Sequence, residues 1–180
     1  MNDQQLIRNL NILEGRFTVD NGGPTECGIT QASWDPYCRL RGFPPSLVEN
    51  ITPTDEEEFY RFSYIDPLML GELQNGVDFV LFQWAINHEG SGDEGGSVKT
   101  IQICAGVEPD GIMGPETVKA ANQMDRIKLM ECMLNRQLDW YKGAYAADPS
   151  LPLEGWKNRI AKTRKIVGLT DPIPGVAASV

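Results

Sequence analysis

The sequence predicts a mainly α-helical single domain with a small irregular or β region near residues 16–30, and three observations support this. The chain has 180 residues, of which 41% are apolar and 8% aromatic, so it can bury one core but has little room for a second. Apolar residues recur at helical spacing along most of its length. That spacing disappears between Gly15 and Thr30, where the run DNGGP requires tight turns.

The first predicted helix covers residues 3–14, because its apolar residues recur on one face. Asn2 or Asp3 is a suitable cap for its start, and Gly15 is a suitable end. The turn-rich stretch follows, and a second helix is predicted over residues 31–42.

Two more helices are predicted before the middle of the chain. Thr54 is expected to cap a helix that runs to about residue 64, since Glu57 follows three positions later as in a capping box. The next helix covers residues 77–87, and its apolar face includes Trp84, which we assign to the core.

The second half of the chain is also predicted to be helical. A glycine-rich connection over residues 90–96 is followed by helices over 98–105, from Pro115 through Lys119, and over 125–145. The inward face of the longest helix is predicted to consist of Ile127, Met130, Met133, Leu134 and Leu138. The basic residues between Lys157 and Lys165 are interpreted as the solvated face of a late helix.

The charge and hydropathy of the chain argue against two classes of partner. The formal net charge is −9, and the basic residues do not form the stripe that binding to a phosphate backbone requires, so no nucleic acid partner is expected. The sequence has no run of about 18 apolar residues and no secretory signal at its start. We therefore expect that the protein does not insert into a membrane and that it is synthesised in the cytosol.

The cysteines do not indicate a metal site. Cys27, Cys38, Cys104 and Cys132 form no CxxC pair, and the chain has one histidine, so a zinc signature is missing and no metal is expected. In a reducing compartment we expect four free thiols, with a Cys27–Cys38 bridge after export left open.

Glu14 is the most specific candidate for a catalytic residue. It stands in the last turn of the first predicted helix, next to Leu13 and Phe17, and both the helix terminus and apolar neighbours raise the pKa of a carboxyl group. A protonated carboxyl is what glycosidic cleavage needs, because the leaving oxygen must receive a proton. The alternative is an ordinary solvated surface glutamate. Asp20 and Thr25 follow in the turn region, where they either supply a second carboxylate and a hydroxyl or bond to the local backbone.

Several runs of the sequence together resemble glycoside hydrolase family 108, a lysozyme-like group of phage endolysins and related muramidases. The run ILEGRFTVDNGGPTECGIT resembles the family signature Glu-Gly-Gly-Tyr followed by Asp-x-Gly-Gly-x-Thr-x-x-Gly-Ile-Thr. Further similar runs are ITPTDEEEFYRFSYID, LFQWAIN, DGIMGPETVKA and GWKNRIAKTR. The resemblance extends over about residues 3–167, although Arg16 replaces the second glycine of the signature and Phe17 its tyrosine.

The resemblance implies a lysozyme-like, two-lobed single domain that needs no cofactor. Residues 1–95 would form the catalytic region, residues 96–172 a C-terminal helical, peptidoglycan-binding-like region packed on it, and residues 173–180 a tail. It also implies a monomer.

The implied activity is that of an N-acetylmuramidase, which cleaves the β-1,4 bond between N-acetylmuramic acid and N-acetylglucosamine in bacterial peptidoglycan. By the resemblance Glu14 is the general acid, and Asp20 and Thr25 take the following Asp and Thr of the signature. A phage enzyme of this kind stays in the host cytoplasm before lysis and reaches the periplasmic cell wall through a holin-type membrane lesion.

Four further residues are candidates for substrate binding. Gln31, Tyr64 and Asn87 could hydrogen-bond a sugar in a groove, and Trp34 could stack on a sugar face, whereas Tyr64 is equally suited to the core. The segment Asp110–Pro115 is explained by turn chemistry rather than by wall contact.

Two other functions stay open at this stage. One is a cysteine amidase or endopeptidase on the same wall, with Cys27 as nucleophile and His88 as base. The other is a non-catalytic wall-binding or virion protein that has kept the fold.

Overall fold

The computed structural model describes residues 1–14, 18–20, 23–26, 28–88 and 96–169, and the side chains of Glu14 and of residues 18–26 lie outside this description. The prediction of a mainly α fold is confirmed within these residues. The helices are α1 (Asp3–Glu14), α2 (Gln31–Arg41), α3 (Pro53–Tyr60), α4 (Val77–Asn87), α5 (Ser97–Ala105), α6 (Pro115–Gln123), α7 (Arg126–Ala147) and α8 (Leu153–Ile166). Short 3-10 turns cover Val48–Asn50 and Leu70–Glu72, and a π-helical turn covers Arg61–Ile65.

The predicted β region near residues 16–30 is also confirmed. Strands β1 (Thr18–Asp20), β2 (Gly23–Glu26) and β3 (Ile29–Thr30) form an antiparallel sheet in the order β1-β2-β3. Asp20 pairs with Gly23 in this sheet. Thr25 lies two positions further along β2 and pairs with Thr18.

Helix α4 is the centre of the fold. All of its residues from Val77 to Ala85 are buried, because α1, α5, α7 and the π-helical turn pack around it. A helix that is buried on every side has no need of a polar face, which explains why α4 is nearly continuously apolar. None of the described helices is both long and apolar enough to cross a membrane.

The start of α3 differs from the prediction. Thr52, not Thr54, is the N-cap, and its hydroxyl accepts a hydrogen bond from the Asp55 amide while the Asp55 carboxylate accepts one from the Thr52 amide. The helix therefore begins two residues earlier than expected, because Pro53 fits the first helical position, where no amide donor is needed.

The prediction for the inward face of α7 is also wrong at one residue. Ile127 is 39% exposed, whereas Met130, Met133, Leu134 and Leu138 are buried as predicted. The inward face is shifted by a fraction of a turn. It begins at Leu129 and continues through the buried Gln137 and Tyr141.

The expectation of four free thiols is wrong for two of the cysteines. Cys104 in α5 and Cys132 in α7 form a disulfide, with their Cα atoms 5.9 Å apart. The two residues are 28 positions apart in sequence, and they meet because α5 and α7 pack side by side. Cys38 is a buried free thiol, and Cys27 lies outside the described residues.

The loop between α5 and α6 is built around a buried amide. Gln102, which is 2% exposed, donates to the Asp110 carboxylate (2.7 Å) and accepts from the Gly111 amide (2.9 Å). The Ile112 amide, followed by the Gln102 side chain, holds the pKa of Asp110 below its ordinary value by hydrogen bonding. These contacts agree with the interpretation of Asp110–Pro115 as a structural turn.

The helices of the two predicted regions share one hydrophobic core. Buried residues of α1 to α4 and of α5 to α8 belong to a single cluster, and α4 contacts both α5 and α7. The boundary near residue 95 stays a prediction, and residues 173–180 lie outside the described residues.

Replacement of Gly76 by alanine is expected to destabilise the fold by about 2 to 4 kcal/mol. Gly76 precedes α4 with a φ of +95°, and a Cβ there would lie 2.8 Å from the sulfur of the buried Met130. Both the strained backbone and the overlap oppose the added methyl group. Chemical denaturation of the variant measures the loss.

Gly71→Ala is the matched control for Gly76→Ala, because Gly71 is exposed and a Cβ there has no heavy atom within 4 Å. We expect its unfolding free energy to stay within about 0.5 kcal/mol of wild type. Equal stability of the two variants would contradict the packing described for Gly76.

Candidate active site

Helices α1 and α4 begin close together and pack against each other. The amino group of Met1 pairs with the carboxylate of Asp78, which is fully buried at the start of α4, and α1 contacts α4. Glu14 is the last residue of α1, and Asn87 is the last residue of α4.

Helix α3 runs antiparallel to α1 and completes the frame. Near the start of α1, Asp3 forms an ion pair with Arg61, and one turn before the end of α1 the Asn11 amide donates to the Glu56 carboxylate (2.9 Å). The strands β1 to β3 connect the end of α1 to the start of α2.

A groove with a cavity volume of about 450 Å³ opens between α2, the end of α3, the end of α4 and the start of α5. Its walls are largely apolar and aromatic, with a few hydroxyl groups and one imidazole. The lining residues are Ser33, Pro36, Tyr37, Leu40, Phe59, Phe62, Ser63, Tyr64, Pro67, Leu68, Ala85, His88, Ser97 and Val98. Apolar walls with a small number of polar groups are typical of binding sites for small organic ligands.

The π-helical turn gives one wall of this groove its composition. Phe62, Ser63 and Tyr64 are consecutive, and all three line the groove. Single π-helical turns occur frequently at functional sites. In the sequence, this wall belongs to the predicted helix that runs to about residue 64. The pattern predicts a helix there but does not predict the wider π-helical turn.

Tyr37 is a groove residue that the sequence reasoning missed. Its ring lies 5.2 Å from Phe59 and 5.6 Å from Phe62, measured between centroids. Its hydroxyl is buried and has no hydrogen-bond partner among the described residues. Burial raises the pKa of Tyr37, and the nearby positive charge of Arg41 opposes this rise.

Replacement of Tyr37 by phenylalanine is expected to stabilise the protein by about 1 kcal/mol, because it removes a buried hydroxyl that lacks a partner. The ring, and so the shape of the groove, is retained. Thermal unfolding measures the gain. The control is Tyr60→Phe, since Tyr60 is fully buried beside Phe59 and its hydroxyl is not among the buried groups that lack a partner. Removal of that hydroxyl should not stabilise the protein. A destabilised Tyr37→Phe would show that the hydroxyl has a partner in solution.

Tyr64 is the predicted substrate-binding residue that lies in the groove. It is half-buried, and its ring is 6.3 Å from Phe82 of α4. Its ring therefore packs against the core beside the groove, and its role in substrate binding stays a prediction.

Trp34 and Gln31 have mainly structural contacts. Trp34 is 3% exposed, contacts Tyr37 and Phe59, and donates its indole N–H to the Ser46 hydroxyl (2.9 Å). Its burial weighs against sugar stacking in this conformation. The Gln31 side chain donates to the Ser46 carbonyl (3.0 Å) and accepts from the Val48 amide (2.8 Å), so it fastens the start of α2 to the following loop. Their roles in substrate binding stay predictions.

Asn87 and His88 lie at the end of α4, and both contact α7. Asn87 is exposed and donates its side-chain amide to the hydroxyl of Tyr141 in α7. His88 lines the groove, and its ring lies 4.2 Å from the ring of Trp140. Among the described residues, no three His, Cys, Asp or Glu side chains lie close enough together to hold a metal ion.

The three predicted catalytic residues are placed by their backbones. Glu14 is the last residue of α1, Asp20 ends β1, and Thr25 lies in β2. Their side chains lie outside the described residues, as does Cys27. Their roles in catalysis therefore stay predictions.

Comparison with known proteins places this arrangement in context. A family model described as glycosyl hydrolase 108 matches residues 10–89, which include the end of α1, the sheet and α2 to α4. No curated protein sequence matches at a significant level. The fold is similar to the solved structure of SagA from Brucella abortus, with a TM-score of 0.72, 24% identity, and coverage of 93% of this chain and 94% of that one. The match of residues 10–89 to glycosyl hydrolase 108 thus supports a glycoside hydrolase, built on a mainly α, lysozyme-like fold.

Proposed function

We propose that the protein is a peptidoglycan hydrolase, an N-acetylmuramidase that cleaves the β-1,4 bond between N-acetylmuramic acid and N-acetylglucosamine with Glu14 as general acid. The observation that carries this proposal is the family match over residues 10–89, which spans Glu14 and most of the groove. The last turn of α1 is the negative end of a helix dipole. A negatively charged side chain is disfavoured there, so a carboxyl group at this position has a raised pKa.

Asp20 and Thr25 complete the proposed chemistry. As Glu14 protonates the leaving oxygen, positive charge develops at the sugar carbon, and a carboxylate stabilises that charge or activates a water. The hydroxyl of Thr25 would hold this water in line. Such a held water corresponds to inversion of the anomeric carbon.

The groove suits a glycan of N-acetylated sugars. Aromatic rings such as Tyr64 and Phe62 offer faces to the C–H groups of a sugar ring, and the hydroxyls of Ser33 and Ser63 offer hydrogen bonds. The proposed partner is therefore bacterial peptidoglycan, and a hydrolase made in the host cytoplasm would reach it through a holin-type membrane lesion.

Mass spectrometry of digested peptidoglycan tests this proposal. Purified protein is incubated with purified sacculi, and the soluble products are reduced with borohydride and identified. We expect new reducing ends on muramic acid. New reducing ends on glucosamine, or free peptide stems, would overturn the proposal, and free stems would favour a cysteine amidase that uses Cys27 and His88.

A further inference from the structure

The end of α4 and the start of α5 form one part of the groove wall. Ala85 lies in the last turn of α4, and His88 directly follows this helix. Ser97 and Val98 are the first two residues of α5. All four line the groove, and the two helices contact each other. We call these four residues the α4–α5 wall.

The α4–α5 wall suits a substituent that is polar but carries no charge. Among the described residues that line the groove, none is Asp, Glu, Lys or Arg. A carboxylate or an ammonium group would lose its hydration there with at most a single imidazole to compensate, which is costly. A neutral polar group needs only hydrogen-bond partners, and the two ring nitrogens of His88 can supply them.

Aromatic packing holds the His88 side chain in place. Its ring lies 4.2 Å from the ring of Trp140 and 5.6 Å from that of Trp84, measured between centroids. His88 is half-buried by these contacts and still contributes to the lining of the groove. A side chain that is already ordered loses little conformational entropy when a ligand binds.

The apolar members of the wall complement this imidazole. Ala85 stands one helical turn before His88, and both Ala85 and Val98 are buried residues of the groove lining. A small apolar surface next to a hydrogen-bonding ring fits a methyl group joined to an amide, because the methyl group leaves water while the amide keeps a hydrogen bond. An N-acetyl group has this structure, whereas a hydroxyl group lacks the methyl and a carboxylate is charged.

From these features we infer that the α4–α5 wall binds an N-acetyl group of the glycan, with the methyl group against Ala85 and Val98 and the amide hydrogen-bonded to the His88 imidazole. This inference rests on the proposed function, which supplies a substrate whose two sugars both carry an N-acetyl group. It makes His88 a residue that determines specificity and takes no part in proton transfer.

A comparison of two substrates tests the role of His88. Soluble glycan strands are de-N-acetylated, and one portion is then re-acetylated with acetic anhydride, so that both substrates have the same history. We expect wild type to cleave the re-acetylated strands with a kcat/KM about tenfold higher, the effect of one hydrogen bond and one buried methyl group. His88→Phe keeps a ring that can pack on Trp140 but removes both nitrogens. It should lower kcat/KM about fivefold on re-acetylated strands and leave it within about twofold on free-amine strands.

The size of the acyl group tests the apolar part of the wall. Strands re-acylated with propionic anhydride carry one extra methylene, and wild type should cleave them about tenfold less efficiently than N-acetyl strands because the added group overfills the wall. Val98→Ala makes room for this methylene and should reduce the difference to within about twofold. The matched control is Val118→Ala, since Val118 is buried in α6 away from the groove lining, and it should discriminate as wild type does.

Thermal unfolding of each variant sets an assay temperature at which all the proteins are folded. An equal loss on both substrates in His88→Phe would overturn the inference, as would equal cleavage of acetylated and free-amine strands by wild type. Unchanged discrimination against N-propionyl strands in Val98→Ala would also overturn it. Each of these results includes cleavage by wild type and so leaves the proposed function intact. Absence of cleavage of intact sacculi by wild type would instead overturn the proposed function.

Discussion

Replacement of Glu14 by glutamine is expected to lower kcat for peptidoglycan cleavage by about 10² to 10⁴-fold, the usual contribution of a general acid. Glutamine keeps the size of the side chain and its ability to hydrogen-bond, but it has no proton to transfer to the leaving oxygen. KM should change little, because the loss falls on the transition state. Release of reducing ends from purified peptidoglycan is the measurement.

The fold gives a matched control for the change at Glu14. Glu116 lies in the first turn of α6 and is exposed, so Glu116→Gln makes the same chemical change away from the proposed site and should retain wild-type activity. Cys27→Ser is the second control, since a muramidase should survive it and a thiol peptidase should not. Full activity of Glu14→Gln would exclude Glu14 as the acid, and binding to sacculi without cleavage by wild type would favour the non-catalytic alternative.

The pH profile provides an independent check on the same residue. If Glu14 is the acid, the alkaline limb of kcat reports loss of its proton, and this limb should be absent from the residual activity of Glu14→Gln. An alkaline limb that persists unchanged in the variant would assign that titration to another group.

The helices were predictable from sequence because the signals that begin and end them are local. Asn2, Thr30 and Asp125 each accept a hydrogen bond from an amide in the first turn of the helix that follows. Gly42 ends α2 with a φ of +72°, which a residue with a side chain rarely adopts. Such contacts span three or four residues, so the order of residues alone indicates them.

The groove could not be predicted in the same way, because its walls come from distant parts of the chain. Tyr37 is a residue of α2 at ordinary helical spacing, and it lines the groove because packing brings Phe59, Ala85 and Val98 close to it. Trp34 is likewise buried in the structure, and no feature of the sequence distinguishes an aromatic residue that stacks on a sugar from one that packs in the core.

Gln83 shows why some polar residues are difficult to interpret from the sequence. Gln83 lies in an apolar helix, where a polar residue suggests an exposed or functional position, yet it is fully buried. Its partners Gln137 and Arg159 are 54 and 76 positions away. Only the packing of α7 and α8 on α4 explains how its amide is satisfied.

Reduction of the Cys104–Cys132 disulfide is expected to lower the free energy of unfolding by about 3 to 4 kcal/mol, the loop-entropy value for a cross-link of this span. The bond closes 28 positions of sequence, including all of α6, so its loss gives the unfolded chain freedom that the oxidised chain lacks. For a protein of this size, this corresponds to a fall in Tm of roughly 10 °C. Thermal unfolding with and without dithiothreitol measures the difference.

The variant in which both cysteines are alanine separates the cross-link from other effects of the reductant. Its Tm should be close to that of reduced wild type, and dithiothreitol should not change it, because the remaining described cysteine, Cys38, is a free thiol. Equal Tm values for wild type with and without reductant would show that α5 and α7 are not cross-linked in solution. If the expected difference is found, the protein is more stable with the Cys104–Cys132 bond than with both thiols reduced. Disulfides persist in oxidising compartments such as the periplasm. The cross-link would then stabilise the helices that pack against α4 in the compartment that holds the proposed substrate.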